Sequence, residues 1–102
     1  MAQFDVHRNL SGDERVPFLL DVQSPVLSSL KTRVVIPVVP VSEYPVPMSR
    51  INPVVEIAGV AYVLATTELA GAPATLLGEI VASLSDKSHD IVNAIDFLHQ
   101  GY

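Results

Sequence analysis

Residues 85–101 read SDKSHDIVNAIDFLHQG, and they decide the fold class because they hold the clearest helical pattern in the sequence. Ser85 is suited to cap the first turn, and Asp86 lies where the positive end of the helix dipole favours an acidic side chain. Gly101 is suited to end the helix. The pattern therefore predicts one helix over residues 85–99. Its buried face is marked by apolar side chains at i, i+4 and i+7: Ile91, Ile95 and Leu98.

Upstream of this helix the apolar residues recur with the shorter period of β-strands. Alternation in residues 3–7 and 18–23 predicts the first two strands. The β-branched run at residues 34–39 predicts a buried third strand. Pro37 lies inside that run and favours an edge strand or a bulge, because proline cannot donate a hydrogen bond to a neighbouring strand.

The second half of the chain continues the strand pattern up to the helix. A tight hairpin turn is predicted at Ala58-Gly59, and Gly78 is expected to mark a bulge. Residues 70–74 are small and interrupted by Gly and Pro, so they are not predicted as a strand. Six or seven short strands and one final helix indicate a small twisted antiparallel barrel, with residues 1–102 forming one domain. The strands of this half are expected at residues 53–57, 60–64 and 75–81.

The composition of the 102-residue chain limits the functions that it can perform. The absence of cysteine excludes disulfide scaffolds, cysteine zinc sites and thiol catalysis. A formal net charge of −5 is unusual for a protein that binds nucleic acid directly. The apolar run 34–41 is too short to cross a bilayer, and the first residues do not resemble a signal peptide. We therefore expect a cytoplasmic protein that does not enter a membrane.

Motifs for enzyme chemistry are missing from the sequence. His7, His89 and His99 have neither the i, i+4 nor the HExxH spacing of metal ligands. No GxSxG, Walker or GxGxxG pattern is present. The sequence therefore predicts no catalytic residues, no metal site and no cofactor.

Two apolar features indicate a contact surface instead. Val26 and Leu27 are adjacent in a predicted turn, so one is expected in the core and the other on the surface. Tyr102 follows Gly101, and this aromatic side chain either folds back onto the barrel or anchors an interface, where tyrosine is enriched. The sequence leaves these two alternatives for Tyr102 open.

A set of short segments follows one another in the order found in a known family. They are QF at 3–4, LDVQS at 20–24, RVVIP at 33–37, PVV at 53–55, TTELA at 66–70, GE, VA and LS within 78–85, and DI and NAI within 90–95. Through these segments, nearly the whole chain resembles the CcdB family, the gyrase-poisoning toxins of bacterial toxin–antitoxin modules.

The resemblance implies a fold and a role. The fold is mainly β, an SH3-like antiparallel barrel of the CcdB/MazF type with a small second sheet and one C-terminal α-helix. The role is that of a homodimeric toxin without enzyme activity, which binds the A subunit of DNA gyrase and traps the gyrase–DNA cleavage complex. A cognate CcdA-like antitoxin neutralises it, and the pair represses its own operon through the antitoxin's DNA-binding domain.

The resemblance also assigns gyrase-binding residues by position. Where the family prototype has an aromatic pair and an aliphatic terminus, this sequence has His99-Gln100 and Tyr102. Gln100 cannot reproduce the stacking of an aromatic ring on a gyrase arginine, a contact worth roughly 0.5–2 kcal/mol. The complete assigned set is Val26, Leu27, Asp96, His99, Gln100, Gly101 and Tyr102.

Two alternative functions fit the same barrel. The first is an antitoxin-binding homologue whose gyrase poisoning is lost or weakened, because the end of the chain departs from the prototype. The second is a MazF-like endoribonuclease, which needs a base, an acid and cations around the RNA phosphate. Arg33 is the candidate cation for that site, and no acid–base partner is evident for it in the sequence.

Overall fold

The computed structural model describes residues 2–101 and contains seven antiparallel strands and one α-helix. The strands form one sheet in the order β4-β5-β3-β2-β1-β7, with β6 paired to β3. The sheet curls into an open half-barrel, which confirms the predicted mainly β antiparallel fold with one C-terminal helix. The small second sheet expected beside it is not separate within residues 2–101, because the pairing of β6 with β3 joins all seven strands into one sheet. The elements are β1 Asp5–Asn9, β2 Phe18–Asp21, β3 Thr32–Pro40, β4 Val54–Ile57, β5 Val60–Leu64, β6 Ala70–Pro73, β7 Leu77–Ser83 and α1 Ser88–Gln100.

Strand β3 is the centre of the sheet, although it contains Pro37. One side of β3 pairs with β2, and the other side pairs first with β6 and then with β5. Pro37 lies where β3 changes from β6 to β5, and its carbonyl accepts the Ala65 N–H at 2.9 Å. The backbone N and C=O of one strand residue point to the same side. The position where Pro37 lacks an N–H therefore points to the place where β6 ends and β5 begins as the neighbour of β3. The expectation of an edge strand or bulge was therefore wrong.

Two local features of the sheet agree with the sequence patterns. Ala58 and Gly59 form the two-residue turn between β4 and β5, with positive φ angles of 51° and 81°, as this hairpin type requires. The pairing of β1 with β7 shifts register between His7 and Asn9, opposite Ile80 and Leu77. This shift is the bulge predicted at Gly78.

The half-barrel buries apolar side chains on both faces of the sheet. Helix α1 covers one face, where Ile91 is buried together with Val6, Leu20 and Ile36. A second cluster lies on the other face and includes Leu19, together with Val16, Val35, Val39, Ala65 and Leu77. This packing fixes both the helix and the ends of β2 and β3, the elements that carry the candidate site.

Element boundaries differ from the predictions where tertiary contacts decide them. Strand β1 begins at Asp5 rather than residue 3, because Phe4 has a positive φ of 71° and is incompatible with a strand there. Residues Ala70–Pro73 form β6 although their composition did not predict a strand, because β3 supplies their hydrogen-bonding partner.

The helix also begins later than predicted. Residues Ser85–Lys87 form a 3₁₀ turn, and α1 starts at Ser88 without a side-chain cap, so the capping role expected of Ser85 was wrong. Gly101 ends the helix as predicted, with a φ of 81° and its N–H donated to the Phe97 carbonyl at 2.8 Å. No helix within residues 2–101 is long and apolar enough to span a bilayer.

Candidate functional site

The first candidate segment is the 3₁₀ turn Pro25–Leu27, which follows β2. Ser24 begins the turn: its Oγ accepts the Val26 N–H at 3.3 Å and its carbonyl accepts the Leu27 N–H at 2.9 Å. Val26 is 88% exposed and Leu27 is 47% exposed. The expectation that one of these two side chains lies in the core was therefore wrong, because the turn presents both to solvent.

A buried polar network lies beneath this turn. Arg33 and Asp21 are 2% and 0% exposed, and their side chains form an ion pair with 2.7 Å between Arg33 Nη2 and Asp21 Oδ2. Asp21 Oδ1 accepts the backbone N–H of Gln23 at 3.0 Å. The Gln23 side chain then donates from Nε2 to the Leu27 carbonyl at 2.7 Å. The network connects the interior of the sheet to the exposed turn.

The second candidate segment is the outer face of α1. Asp96, His99 and Gln100 are exposed, and their i, i+3, i+4 spacing places them on one side of the helix. Gly101 is exposed directly after them. Tyr102, the last residue of the assigned set, lies outside the described residues.

The C-terminal end of α1 is held against the loop before β4 by an aromatic contact. The guanidinium carbon of Arg50 lies 4.4 Å from the centre of the Phe97 ring, within the range of a cation–π interaction. A cleft of about 220 Å³ beside this contact is lined by Met48, Ser49, Arg50, Ile51 and Phe97. Leu98 was predicted on the buried face of the helix but is 40% exposed, so that prediction was wrong for the last turn, and the end of the helix carries apolar surface as well as polar groups.

The structure groups the assigned residues into two patches. Asp96, His99 and Gln100 form one patch on α1, while Val26 and Leu27 form the other on the turn. Within residues 2–101, no hydrogen bond, ion pair or cation–π contact joins the turn to the helix. Polar contacts therefore do not fix the two patches directly to each other.

The histidines are placed apart from one another. His7 is buried in β1, with Nδ1 2.9 Å from the Gly78 carbonyl oxygen. His89 lies one helical turn before Asn93, with its Nε2 3.1 Å from the Asn93 amide nitrogen. In the part of the chain that the structure describes, no three His, Asp or Glu side chains are arranged to hold a metal ion.

The groups considered for ribonuclease chemistry do not form a phosphate site. Arg33 is buried and paired with Asp21, so its guanidinium has no access to RNA. A cleft of about 370 Å³ on the barrel is lined by Arg15, Glu43 and Glu68, together with Val39, Tyr44, Pro45 and Val46. Two carboxylates around one guanidinium give this cleft a negative balance, which disfavours an RNA phosphate.

Sequence reasoning missed Asp21 and Gln23 as parts of the site. Both are buried polar residues at alternate positions at the end of β2, and Arg33 is a charged residue next to the apolar run of β3. Polar groups are rarely buried without a partner. Three polar residues at the adjoining ends of two predicted strands were therefore a usable signal of a buried network.

Comparison with known proteins identifies a matching family and solved structures that share the fold. A family model described as CcdB protein matches residues 3–101. Among solved structures, the chain is similar to the Mycobacterium tuberculosis toxin MazF-mt6, with a TM-score of 0.74 and 17% sequence identity over 93% of this chain and 95% of that chain. It is also similar to an endoribonuclease in complex with its cognate antitoxin from a mycobacterial species, with a TM-score of 0.78 and 12% identity over 97% of this chain and 94% of that chain. Identities this low support a shared fold and nothing finer.

Proposed function

Because the chain belongs to the CcdB family, we propose that it is the toxin of a type II toxin–antitoxin system that binds the A subunit of DNA gyrase and traps the gyrase–DNA cleavage complex. The observation that carries this proposal is the family match over residues 3–101. The match includes both segments assigned to gyrase contact, the turn at 25–27 and the helix that ends at Gln100.

The character of the two patches supports a contact role rather than catalysis. The turn exposes aliphatic side chains, and Val26 is the more exposed of the two. The helix face exposes one carboxylate, one imidazole and one amide. Apolar centres with polar surroundings are typical of protein interfaces. In this proposal the protein poisons gyrase by binding it, and it performs no chemistry of its own.

We also propose that the protein acts as a homodimer, so that the patches of two copies form one composite gyrase-binding face. Large apolar side chains are exposed in several parts of the chain, including Leu10, Met48 and Ile80 at 57%, 61% and 55%, and burying such side chains between two copies would stabilise a dimer. Sedimentation at micromolar concentration should give about twice the chain mass of 11.0 kDa. If the protein sediments with the mass of a single chain, the homodimer and its composite gyrase-binding face are wrong.

The remaining partners follow from the family role. A CcdA-like antitoxin would neutralise the toxin, and operator DNA would be bound only through that antitoxin. The net charge of −5 supports this division, because the toxin itself has no cationic excess for phosphate contacts. Gyrase as the target would place the protein in the cytoplasm.

Growth on induction tests the proposed target. Expression without antitoxin should arrest growth and induce the DNA-damage response, and a host whose gyrase A subunit is altered at the toxin-binding cleft should grow. Arrest in both hosts with intact RNA would exclude gyrase as the target. Arrest in both hosts with RNA cleaved at defined sequences would support the endoribonuclease alternative.

Growth in both hosts would support the homologue with lost or weakened poisoning. That outcome has a physical basis at Gln100, which lacks an aromatic ring for stacking on an arginine. Co-purification with the cognate antitoxin would then show that the antitoxin-binding role is kept.

A further inference from the structure

We propose that Gln23 is a positioning residue for gyrase binding, which fixes the exposed turn Pro25–Leu27 to the buried ion pair of the sheet. The inference rests on the proposed function, since it concerns the orientation of the turn toward the gyrase A subunit. It assigns a role to a side chain that itself faces away from solvent, with 4% of its surface exposed.

The two ends of the Gln23 amide have different partners. Oε1 accepts the Val34 N–H at 3.0 Å, which attaches the side chain to β3. Nε2 donates to the Leu27 carbonyl at 2.7 Å, which attaches the turn to the same side chain. An amide is suited to this position because it combines one acceptor with a donor group.

The backbone of Gln23 is fixed independently of its side chain. Its N–H is donated to Asp21 Oδ1 at 3.0 Å, while the other oxygen of Asp21 is paired with Arg33. Both residues of this pair are almost fully buried, so neither can exchange its partner for water. Gln23 therefore extends from a rigid point of the sheet.

The turn has few other connections to the barrel. Within the described residues, the other hydrogen bonds of residues 25–30 stay inside the segment 24–30: Val26 to Ser24, Leu27 to Ser24, Ser28 to Pro25 and Leu30 to Leu27. All residues from 25 to 30 are exposed, so packing adds little to their order. The bond from Gln23 Nε2 to the Leu27 carbonyl is therefore the contact that sets the direction of Val26 and Leu27.

The substitution Gln23→Glu isolates this contact. A carboxylate keeps an acceptor for the Val34 N–H but places an oxygen against the Leu27 carbonyl in place of the donor. Gln23→Met removes both hydrogen bonds and cannot donate under any protonation state. In both variants we expect amide hydrogen exchange at residues 26–30 to become about tenfold faster, and affinity for the purified gyrase A subunit to fall about tenfold.

Asn52→Asp is the matched control. Asn52 is also buried and also donates from its amide to a backbone carbonyl, that of Leu64 at 3.1 Å. It lies in the loop before β4 and has no contact with the turn among its hydrogen bonds. Asn52→Asp should lower the melting temperature to a similar degree while it leaves gyrase affinity and exchange at residues 26–30 unchanged.

The two measurements separate the failure of this inference from the failure of the proposed function. If the wild type does not bind the gyrase A subunit, the proposed function is wrong, and the exchange rates alone still decide whether Gln23 holds the turn. Unchanged exchange at residues 26–30 in both Gln23 variants would overturn the positioning role. Faster exchange with wild-type gyrase affinity, or equal losses of affinity in Asn52→Asp, would overturn its link to gyrase binding.

Discussion

Replacing Arg33 by methionine is expected to lower the free energy of unfolding by about 3–5 kcal/mol, a third or more of the total for many small domains. The substitution leaves the carboxylate of Asp21, which is 0% exposed, without its cation at 2.7 Å. An unpaired buried charge is far more costly than the loss of a solvated pair. Chemical denaturation monitored by circular dichroism measures the change.

An exposed pair in the same sheet provides the control. Arg8 and Glu79 form an ion pair with 2.8 Å between Arg8 Nε and Glu79 Oε1, and their side chains are 54% and 68% exposed. Arg8→Met should change stability by no more than about 1 kcal/mol, because solvent screens such pairs. Equal effects of Arg33→Met and Arg8→Met would show that the buried pair is not a main determinant of stability.

The double variant Arg33→Met with Asp21→Leu distinguishes charge from packing. Because neither charge remains, it should recover part of the stability that Arg33→Met loses. Recovery should be incomplete, since the Gln23 N–H loses its acceptor on Asp21, which is 3.0 Å away.

Features that depend on neighbouring residues in the chain could be predicted from the sequence. The helix was predicted because its apolar spacing and the stop at Gly101 are local, and the hairpin at Ala58-Gly59 because its backbone angles favour glycine. Strand β6 and the position of Pro37 could not be predicted in this way. Both depend on which strands lie beside β3, and this is decided by the closure of the whole sheet.

The same distinction between local and long-range features applies to the candidate site. The exposed positions of Asp96, His99 and Gln100 agree with the helical period that places Ile91 in the core, but Leu98, predicted on the buried face, is 40% exposed. Exposure of both Val26 and Leu27 was not predicted, because hydrophobicity alone favours burying one of them. The network that holds them outward joins Asp21 to Arg33, which lies 12 residues further along the chain, and Gln23 to Val34. These contacts form only after β2 and β3 pair.

The second large effect is expected from Val26→Asp, which should reduce affinity for the gyrase A subunit at least about 30-fold. If Val26 is buried at the interface, the new carboxylate loses its hydration without gaining a cation. Stability should change by no more than about 0.5 kcal/mol, because the side chain is 88% exposed in the free protein. Titration of the purified A subunit measures the affinity.

Val46→Asp is the matched control for this change. Val46 is 77% exposed in the loop between β3 and β4, outside both candidate patches. The same substitution there should leave gyrase affinity within about twofold of wild type. An equal loss in the two variants would mean that added negative charge, rather than the turn, weakens binding.

DNA cleavage by purified gyrase tests the central claim most directly. Supercoiled plasmid is incubated with gyrase, ATP and increasing amounts of the protein, and covalent complexes are then released with detergent and protease. The account predicts that linear DNA accumulates with the wild type and with Val46→Asp, but not with Val26→Asp. Absence of linear DNA at saturating wild-type protein, with the same preparation still bound by its antitoxin, would contradict gyrase poisoning by this chain.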